Sequence, residues 1–365
     1  MTKGIKGRLY PNEKQKQQLL NTFGCCRFVY NYFLYERARA YKEDNISLSY
    51  NDTARLLVKM KHEPEYVWLS AIDSMALQES LRNLDKAYKN FFKGNARYPI
   101  FHSKHGKQSF RTRNQNNGIR LSGNMIKLPK VGYVKVKGLQ DFDGRILNVT
   151  VSLSKSGKFF VSLCVDTETF KPTAPNNAIG LDVGLTSFYT DSNGNTVANP
   201  RTYRYHEKRL IRAQRRLSRM KKGSNNRNKQ RIRVARCHEK ISNIRNDFLQ
   251  KQSTILANEN QVVCVEDLQI RGMLKNHRLA KSISDVAWSS FFRMLDYKLQ
   301  ERGGTLIKIP AFYPSSQTCS VCNYLNKDLK NLSVRQWTCP VCGAQHDRDV
   351  NAAQNILKQG LQLVV

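Results

Sequence analysis

The chain has 365 residues, 40% of them hydrophobic, and 61 Lys and Arg face 28 Asp and Glu, a formal net charge of +33. Length and apolar content provide for two or three packed domains and exclude a disordered chain. That much charge costs stability through self-repulsion, and nucleic acid is the partner it fits; an anionic membrane fits less well, because the basic residues cluster along helices and interleave with aromatics. MTKGIKGRLYPNEKQ lacks the apolar core of a signal peptide, and no run of about 18 apolar residues occurs. No membrane span is therefore expected, and a cytoplasmic location is. Nine cysteines in such a chain argue for metal rather than disulfides.

In chain order, KGIKGRLYP reads as a strand that Pro11 stops. Asn12 and Gln15 have capping-box spacing and open a helix with Leu19, Leu20 and Phe23 inside. After Gly24 a second helix carries Cys26, Val29, Tyr30, Phe33 and Leu34. Leu77, Leu81, Leu84, Tyr88 and Phe91 repeat at helical spacing, so residues 74–93 form another helix and 12–95 a helical block. From 98 to 170 the period becomes two, in LPKVGYVKVKG and VTVSLSKSGKFFVSLCVD, with a hairpin turn at Ser156-Gly157. This predicts a small β-barrel or sandwich that also takes the first strand, its exposed Lys and Arg suited to a sugar-phosphate backbone.

KPTAPNN, residues 171–177, reads as a linker. Beyond it AIGLDVGLTSFYT predicts a buried strand, DSNGN a turn and TVANP a return strand. Residues 201–222 and 228–257 predict two long basic helices joined by Gly223-Ser224-Asn225-Asn226, the second with Val234, Cys237, Ile241, Ile244 and Phe248 on one side. A solvated helical face mixes charge signs; this one is almost without acids. It is expected to face phosphates, with Arg212, Arg215, Arg216, Arg219, Arg231 and Arg233 as candidate contacts. QVVCVEDL (261–268) is a second buried strand, followed by a helix near 284–301 and the strand TLIKIP.

Cys319 and Cys322, then sixteen residues, then Cys339 and Cys342 have zinc-ribbon spacing. Four thiolates close a tetrahedral shell with no open position, so the one zinc ion is structural. Cys25, Cys26, Cys164, Cys237 and Cys264 sit in apolar patterns and read as core residues. His346 lies near the fourth cysteine, but the shell is already full, and it is read as a surface or nucleic-acid contact.

Three acids stand out. Asp182 lies inside an apolar strand, where a carboxylate is costly unless paired or bound to metal. Glu266 ends the apolar strand VVCVE, and Asp349 stands just ahead of a helical Asn351–Ile356. A strand centre, a strand end and a helix start can meet at one edge of an RNase H-like α/β sheet around two divalent cations about 4 Å apart. Mg2+ or Mn2+ held by hard carboxylate oxygens supplies what phosphodiester hydrolysis needs: a hydroxide near neutral pH and charge compensation on the leaving oxygen. Taken singly each acid has a plainer reading. Asp349 fits a helix N-cap, Asp347 a loop acid, and Asp267 a cap for the helix after it.

GLDVGL at 180, VVCVEDL at 262, SSQTCSVC at 315, WTCPVCG at 337 and HDRDVNAAQNIL at 346 resemble the TnpB family, RNA-guided nucleases of bacterial insertion sequences related to compact type V CRISPR effectors. FGCCRFVYN at 23, ALQESLRNLDKAYKNFF at 76 and EDLQIRGMLKNHRLAKSISDVAW at 266 extend the resemblance over almost the whole chain. It implies a multidomain α+β protein: an N-terminal β-barrel wedge domain (1–11 and 96–172), a helical recognition insert (12–95), an RNase H-like RuvC α/β domain (173–314 and 343–365) and a zinc ribbon (315–342) interrupting it. The family's acidic triad falls on Asp182, Glu266 and Asp349, and its zinc ligands on the four paired cysteines. Asn323 departs from a common knuckle glycine, but Asn tolerates left-handed backbone.

The resemblance further implies a guide RNA from the transposon end, one copy of the chain per RNA, and a double-stranded DNA target flanked by a short transposon-associated motif. Base pairing then supplies the sequence specificity. Asp182 and Asp349 are expected to be the shared metal ligands, Glu266 to hold the metal that activates water, and Arg271, Lys275 and Arg278 to meet phosphates near the cut strand. Some relatives lack the acids and only repress transcription; this chain keeps all three. A non-catalytic nucleic-acid-binding regulator and a transposase performing strand transfer are the alternatives. The first predicts that Asp182→Ala changes nothing, the second activity without RNA.

Overall fold

The computed structural model describes residues 2–167, 173–331 and 333–363, so Lys171 and Pro172 of the expected linker lie outside the described residues. The chain divides into two compact units, residues 1–169 and 170–365.

The first unit opens with β1 (Thr2–Tyr10), α1 (Glu13–Asp44), α2 (Tyr50–Met60) and α3 (Ser74–Phe92). Asn12 caps α1 by accepting from the Gln15 amide at 2.8 Å, and Gln15 Oε1 accepts from the Asn12 amide in return. One continuous helix replaces the two expected around Gly24. A mid-helix glycine costs about 1 kcal/mol, but Leu19, Phe23, Cys26, Val29, Tyr30 and Phe33 stay on one buried face across it, and their packing outweighs that cost.

Six strands follow: β2 (Gln108–Arg113), β3 (Arg120–Ser122), β4 (Met125–Leu128), β5 (Gly132–Lys137), β6 (Arg145–Leu153) and β7 (Phe159–Asp166). They join β1 in one antiparallel sheet of order β2-β6-β7-β1-β5-β4-β3. The first strand thus pairs far along the chain, Ile5 with Leu163, as its apolar pattern required. Leu19, Phe33, Leu77 and Leu84 from the helices share one core with Val134, Val149 and Val161 from the sheet. Buried Glu79 of α3 takes a 2.6 Å ion pair from Arg113 of β2.

The second unit begins with β8 (Ala178–Val183), β9 (Ser187–Asp191) and β10 (Thr196–Ala198). The single strand expected over AIGLDVGLTSFYT is two, because Gly184–Thr186 turns the chain and Val183 then pairs antiparallel with Tyr189. The helices α4 (Thr202–Ser218) and α5 (Asn225–Glu259) form the basic hairpin. Ser224 caps α5, and Arg227 donates to the Leu217 and Met220 carbonyls at 2.7 and 3.0 Å, so α5 starts three residues earlier than expected. Ile244, expected inside, is exposed.

After β11 (Val262–Glu266) come α6 (Ile270–Met273), α7 (Ala280–Val286), α8 (Trp288–Gln300) and β12 (Thr305–Ile309). Ala287, at φ +59°, breaks the helix expected to start near 284. Asp285 of α7 accepts from the Tyr203 amide at the start of α4 and pairs with Arg245 of α5 at 2.8 Å, which fixes the hairpin's base. The chain ends with β13 (Gln336–Thr338), β14 (Gln345–Asp347) and α9 (Arg348–Gln362). The main sheet runs β10-β9-β8-β11-β12, with β8, β11 and β12 parallel. Counting strands from the start of this unit, the order is 3-2-1-4-5, and α9 crosses the face of the parallel strands.

A candidate metal-dependent active site

Parallel pairing sets Leu181 of β8 opposite Val265 of β11, so the next residues, Asp182 and Glu266, are neighbours on one face. Two residues earlier on that same face come Gly180 and Cys264. Helix α9 packs on these two: a Cβ at Gly180 would overlap the Ala353 carbonyl oxygen and lie 2.7 Å from the Leu357 nitrogen, and one at Gly360 would overlap Cys264 Sγ. Asp349 is one turn before Ala353, a rise of about 6 Å. Asp182 is two strand residues beyond Gly180, about 6.6 Å. Asp182 and Asp349 thus each lie about one turn's length from the close contact between Gly180 and Ala353.

The electrostatics agree with that geometry. The Asp182 carboxyl is pushed up to about 8 by burial first, then by the negative charges of Glu266 and Asp349, with Arg348 and Arg335 opposing. The residue keeps some surface exposure, enough for a ligand to reach it. Glu266 Oε1 accepts from the Ser315 hydroxyl at 2.6 Å, and Asp349 pairs with Arg335 at 3.2 Å. Among the described residues the four cysteines, and not the three acids, form the group whose ligand atoms lie within 4.8 Å of one another; two cations about 4 Å apart would be spanned by more widely set carboxylates. The donor set, three hard oxygens and no sulfur or imidazole, fits Mg2+ or Mn2+.

The Asp-Arg-Asp motif divides its labour. Asp347 is the N-cap, accepting from the Asp349 and Val350 amides at 3.0 and 3.1 Å. The cap role open to Asp349 in the sequence thus belongs to Asp347, and the Asp349 carboxylate pairs with Arg335 instead. Buried Arg348 donates to the Asn331 carbonyl at 2.6 Å. Asp267 caps no helix; it pairs with Lys308 at 3.5 Å, and α6 has no side-chain cap.

The four cysteine sulfurs lie within 4.8 Å of one another, with Cys319–Cys342 at 3.7 Å and Cys322–Cys339 at 3.6 Å. A tetrahedron with Zn–S bonds of about 2.3 Å has edges of about 3.8 Å, so the set fits one zinc ion. Both knuckles close alike. The Cys319 carbonyl takes the Asn323 amide and the Cys339 carbonyl the Gly343 amide, each at 2.9 Å. Asn323 at φ +62° and Gly343 at +70° occupy the same left-handed position, so the asparagine serves as the glycine does. His346 is not a surface residue: it is buried, tilted against Trp337, with Nε2 3.1 Å from Cys319 Sγ.

The residues that sequence reasoning missed join ribbon to site. Asn351 accepts from the Ser320 amide at 2.9 Å and donates to the Thr318 carbonyl at 2.8 Å. Asn355 donates to the Ser315 and Thr318 carbonyls at 2.8 and 2.6 Å, and Ser320 donates to Gln354. Amides at positions 351, 354 and 355 share the inner face of an amphipathic helix, a place where apolar residues are the rule; that was the available signal. Asn355→Ala leaves the buried Ser315 carbonyl only the long 3.5 Å bond from Asn351, while Thr318 keeps its 2.8 Å bond from Asn351. It is expected to destabilise by about 1–3 kcal/mol, read as a lowered midpoint in thermal melts, with zinc still bound.

The proposed nucleic-acid contacts Arg212, Arg215, Arg216, Arg219, Arg231, Arg233, Arg271, Lys275 and Arg278 are all exposed. Arg212, Arg216 and Arg233 line a groove between α4 and α5, and Arg271 lines a separate cleft with Asp267, Arg293 and Lys308.

Three family models match: "Probable transposase" (OrfB_IS605) over residues 162–277, "Cas12f1-like, TNB domain" over 288–356 and "Helix-turn-helix domain" over 1–45. A Streptomyces pristinaespiralis protein named "Putative RNA-guided DNA endonuclease" is 40% identical over 98% of this chain and 89% of its own length. The chain belongs to the TnpB family. A second relative of this TnpB chain, "Putative RNA-guided DNA endonuclease InsQ" of Escherichia coli (strain K12), is 34% identical over 98% of the chain and 92% of its own. The TnpB fold is also that of the protein in the "Cryo-EM structure of the Cas12f1-sgRNA-target DNA complex", at TM-score 0.56 and 14% identity over 94% of this chain and 82% of that one.

Proposed function

We propose that this chain is an RNA-guided DNA endonuclease that cuts guide-matched DNA at Asp182, Glu266 and Asp349, on an RNase H-like RuvC-type sheet. The observation that carries the reading is Asp182: a carboxylate on an apolar strand, pushed up to about 8 by burial and by two further acids. Such an arrangement is unfavourable for the fold alone and is relieved by divalent cations. The three acids would hold a pair of Mg2+ or Mn2+ ions, which supply a nucleophile at neutral pH and offset charge on the leaving oxygen. Around them the chain's own groups set geometry. Ser315 fixes the Glu266 carboxylate, Asp347 anchors the helix start, and Arg335 and Arg348 temper the charge of three converging acids.

The guide is an RNA from the transposon end, the target duplex DNA beside a short flanking motif, and the four cysteines hold one structural zinc. Full similarity to relatives named RNA-guided DNA endonucleases supports the guided reading over a regulator or a strand-transfer enzyme. The test is purification with and without ribonuclease treatment, followed by incubation with a plasmid matched to the copurified RNA. Cleavage is expected only when that RNA is present and the plasmid matches it. Cutting of unmatched duplex by RNA-free protein would overturn the guided reading.

A further inference from the structure

The α4–α5 hairpin carries a groove of about 560 Å³ that is not part of the acidic site. Arg209, Arg212 and Arg216 line one wall, Arg233, Arg236 and Lys240 the other, and no acid lines it. Each row steps by three and then four residues, so it stays on one helix face. At 1.5 Å per residue a row spans about 10 Å, the axial length of about three nucleotides at 3.4 Å each.

A second, independent feature points to the ligand. Gln230 lines the same groove and is 4% exposed; its Nε2 donates to the Ala213 carbonyl at 2.9 Å, but its Oε1 has no partner. An unmet buried acceptor is unfavourable for the fold. A phosphate cannot satisfy it, having no proton to donate, and neither can a deoxyribose within a strand. A ribose 2′-hydroxyl can.

We propose that this groove binds the backbone of an RNA strand, with the two rows of three cations flanking about three successive phosphates and Gln230 Oε1 accepting from a 2′-hydroxyl. The assignment rests on the RNA-guided reading above and gives the RNA a site distinct from the acids. Reaching Gln230 requires the exposed guanidinium groups to swing outward onto the phosphates, a motion long arginine side chains make readily.

The experiment uses the full chain carrying Asp182→Asn, so that binding is read without cleavage. Fluorescence anisotropy compares a single-stranded RNA of about 20 nucleotides, the DNA of the same sequence and a 2′-O-methyl RNA. RNA is expected to bind at least about fivefold tighter than DNA or methylated RNA, a difference worth one donated hydrogen bond. Gln230→Leu is expected to bring RNA down to the DNA value while DNA binding changes little. Arg212→Glu with Arg236→Glu is expected to weaken both by more than about tenfold and flatten the salt dependence by about 1.5 in log–log slope. Gln230→Leu also loses the Ala213 bond; the methylated RNA tests the same contact with the protein unaltered. Equal binding of RNA and DNA, or arginine reversals without effect, overturns the proposal. RNA-selective binding at Gln230 alongside RNA-independent cleavage by the unsubstituted chain would instead sink the guided reading and leave the groove standing.

Discussion

Asp182→Asn is expected to abolish cleavage, by at least about 10³-fold, and yet to raise the melting temperature of the metal-free protein above pH 8. The sign follows from the carboxyl, which is pushed up to about 8 in the folded chain, against about 3.9 when unfolded. Between those limits the folded state keeps a proton that the unfolded chain has released. Stability of the metal-free protein therefore falls as pH rises from about 4 to 8, then levels off. Asparagine is neutral and of the same shape, so it escapes this loss. The gain is on the order of a few kcal/mol at most, since Asp182 keeps some exposure to solvent. Divalent cations should reverse the ranking, stabilising the unsubstituted protein and leaving the variant unmoved, with a proton released on binding below pH 8. Melts at pH 6 and 9, with and without Mn2+, together with a cleavage assay, provide the measurement. A variant that melts lower than its parent at pH 9 without metal, or that still cuts, defeats the assignment.

Removing zinc is expected to cost activity that the acids alone do not explain. Structural zinc contributes on the order of 10 kcal/mol to the fold of its own site, so Cys339→Ser should release the ion and unravel the ribbon. The ribbon's first knuckle is held by Asn351 and Asn355 of α9, and Ser315 beside it holds Glu266. Cleavage is expected to fall by at least about 100-fold, the cost of a misplaced ligand, while the parallel sheet remains folded by circular dichroism. Ser315→Ala isolates the link: zinc content measured by mass spectrometry should stay at one per chain while cleavage drops about tenfold. If zinc-free protein cuts normally, or Ser315→Ala is indistinguishable from its parent, ribbon and site are independent.

Asp182 and Glu266 could be singled out as candidates because each breaks an apolar rule: a carboxylate in GLDVG or at the end of VVCVE is costly in a buried strand unless it is paired or bound to a cation. The cysteines were legible from spacing alone. The division between Asp347 and Asp349 was not, because either acid suits a cap and only the backbone decides which amides it meets. Gly24 misled in the opposite direction. A glycine signals a break, yet continuous burial on both sides carried α1 through it. At Gly184–Thr186 and Ala287 the chain turned where apolar periodicity ran on unbroken, since the pattern records burial but not direction. His346 and the buried amides of α9 needed the ribbon folded back on the helix before their partners existed.

The contact between α9 and the sheet rests on two missing methyl groups, at Gly180 and Gly360. The helix lies on its strands as closely as bare backbone permits, and that closeness sets how near the start of α9, with Asp349, comes to the sheet. Spacing at the proposed reactive centre is thus written into what the chain leaves out, two residues from Asp182 on the strand and eleven from Asp349 on the helix. A methyl group added at Gly360 would push this helix off the sheet as surely as one added at Gly180.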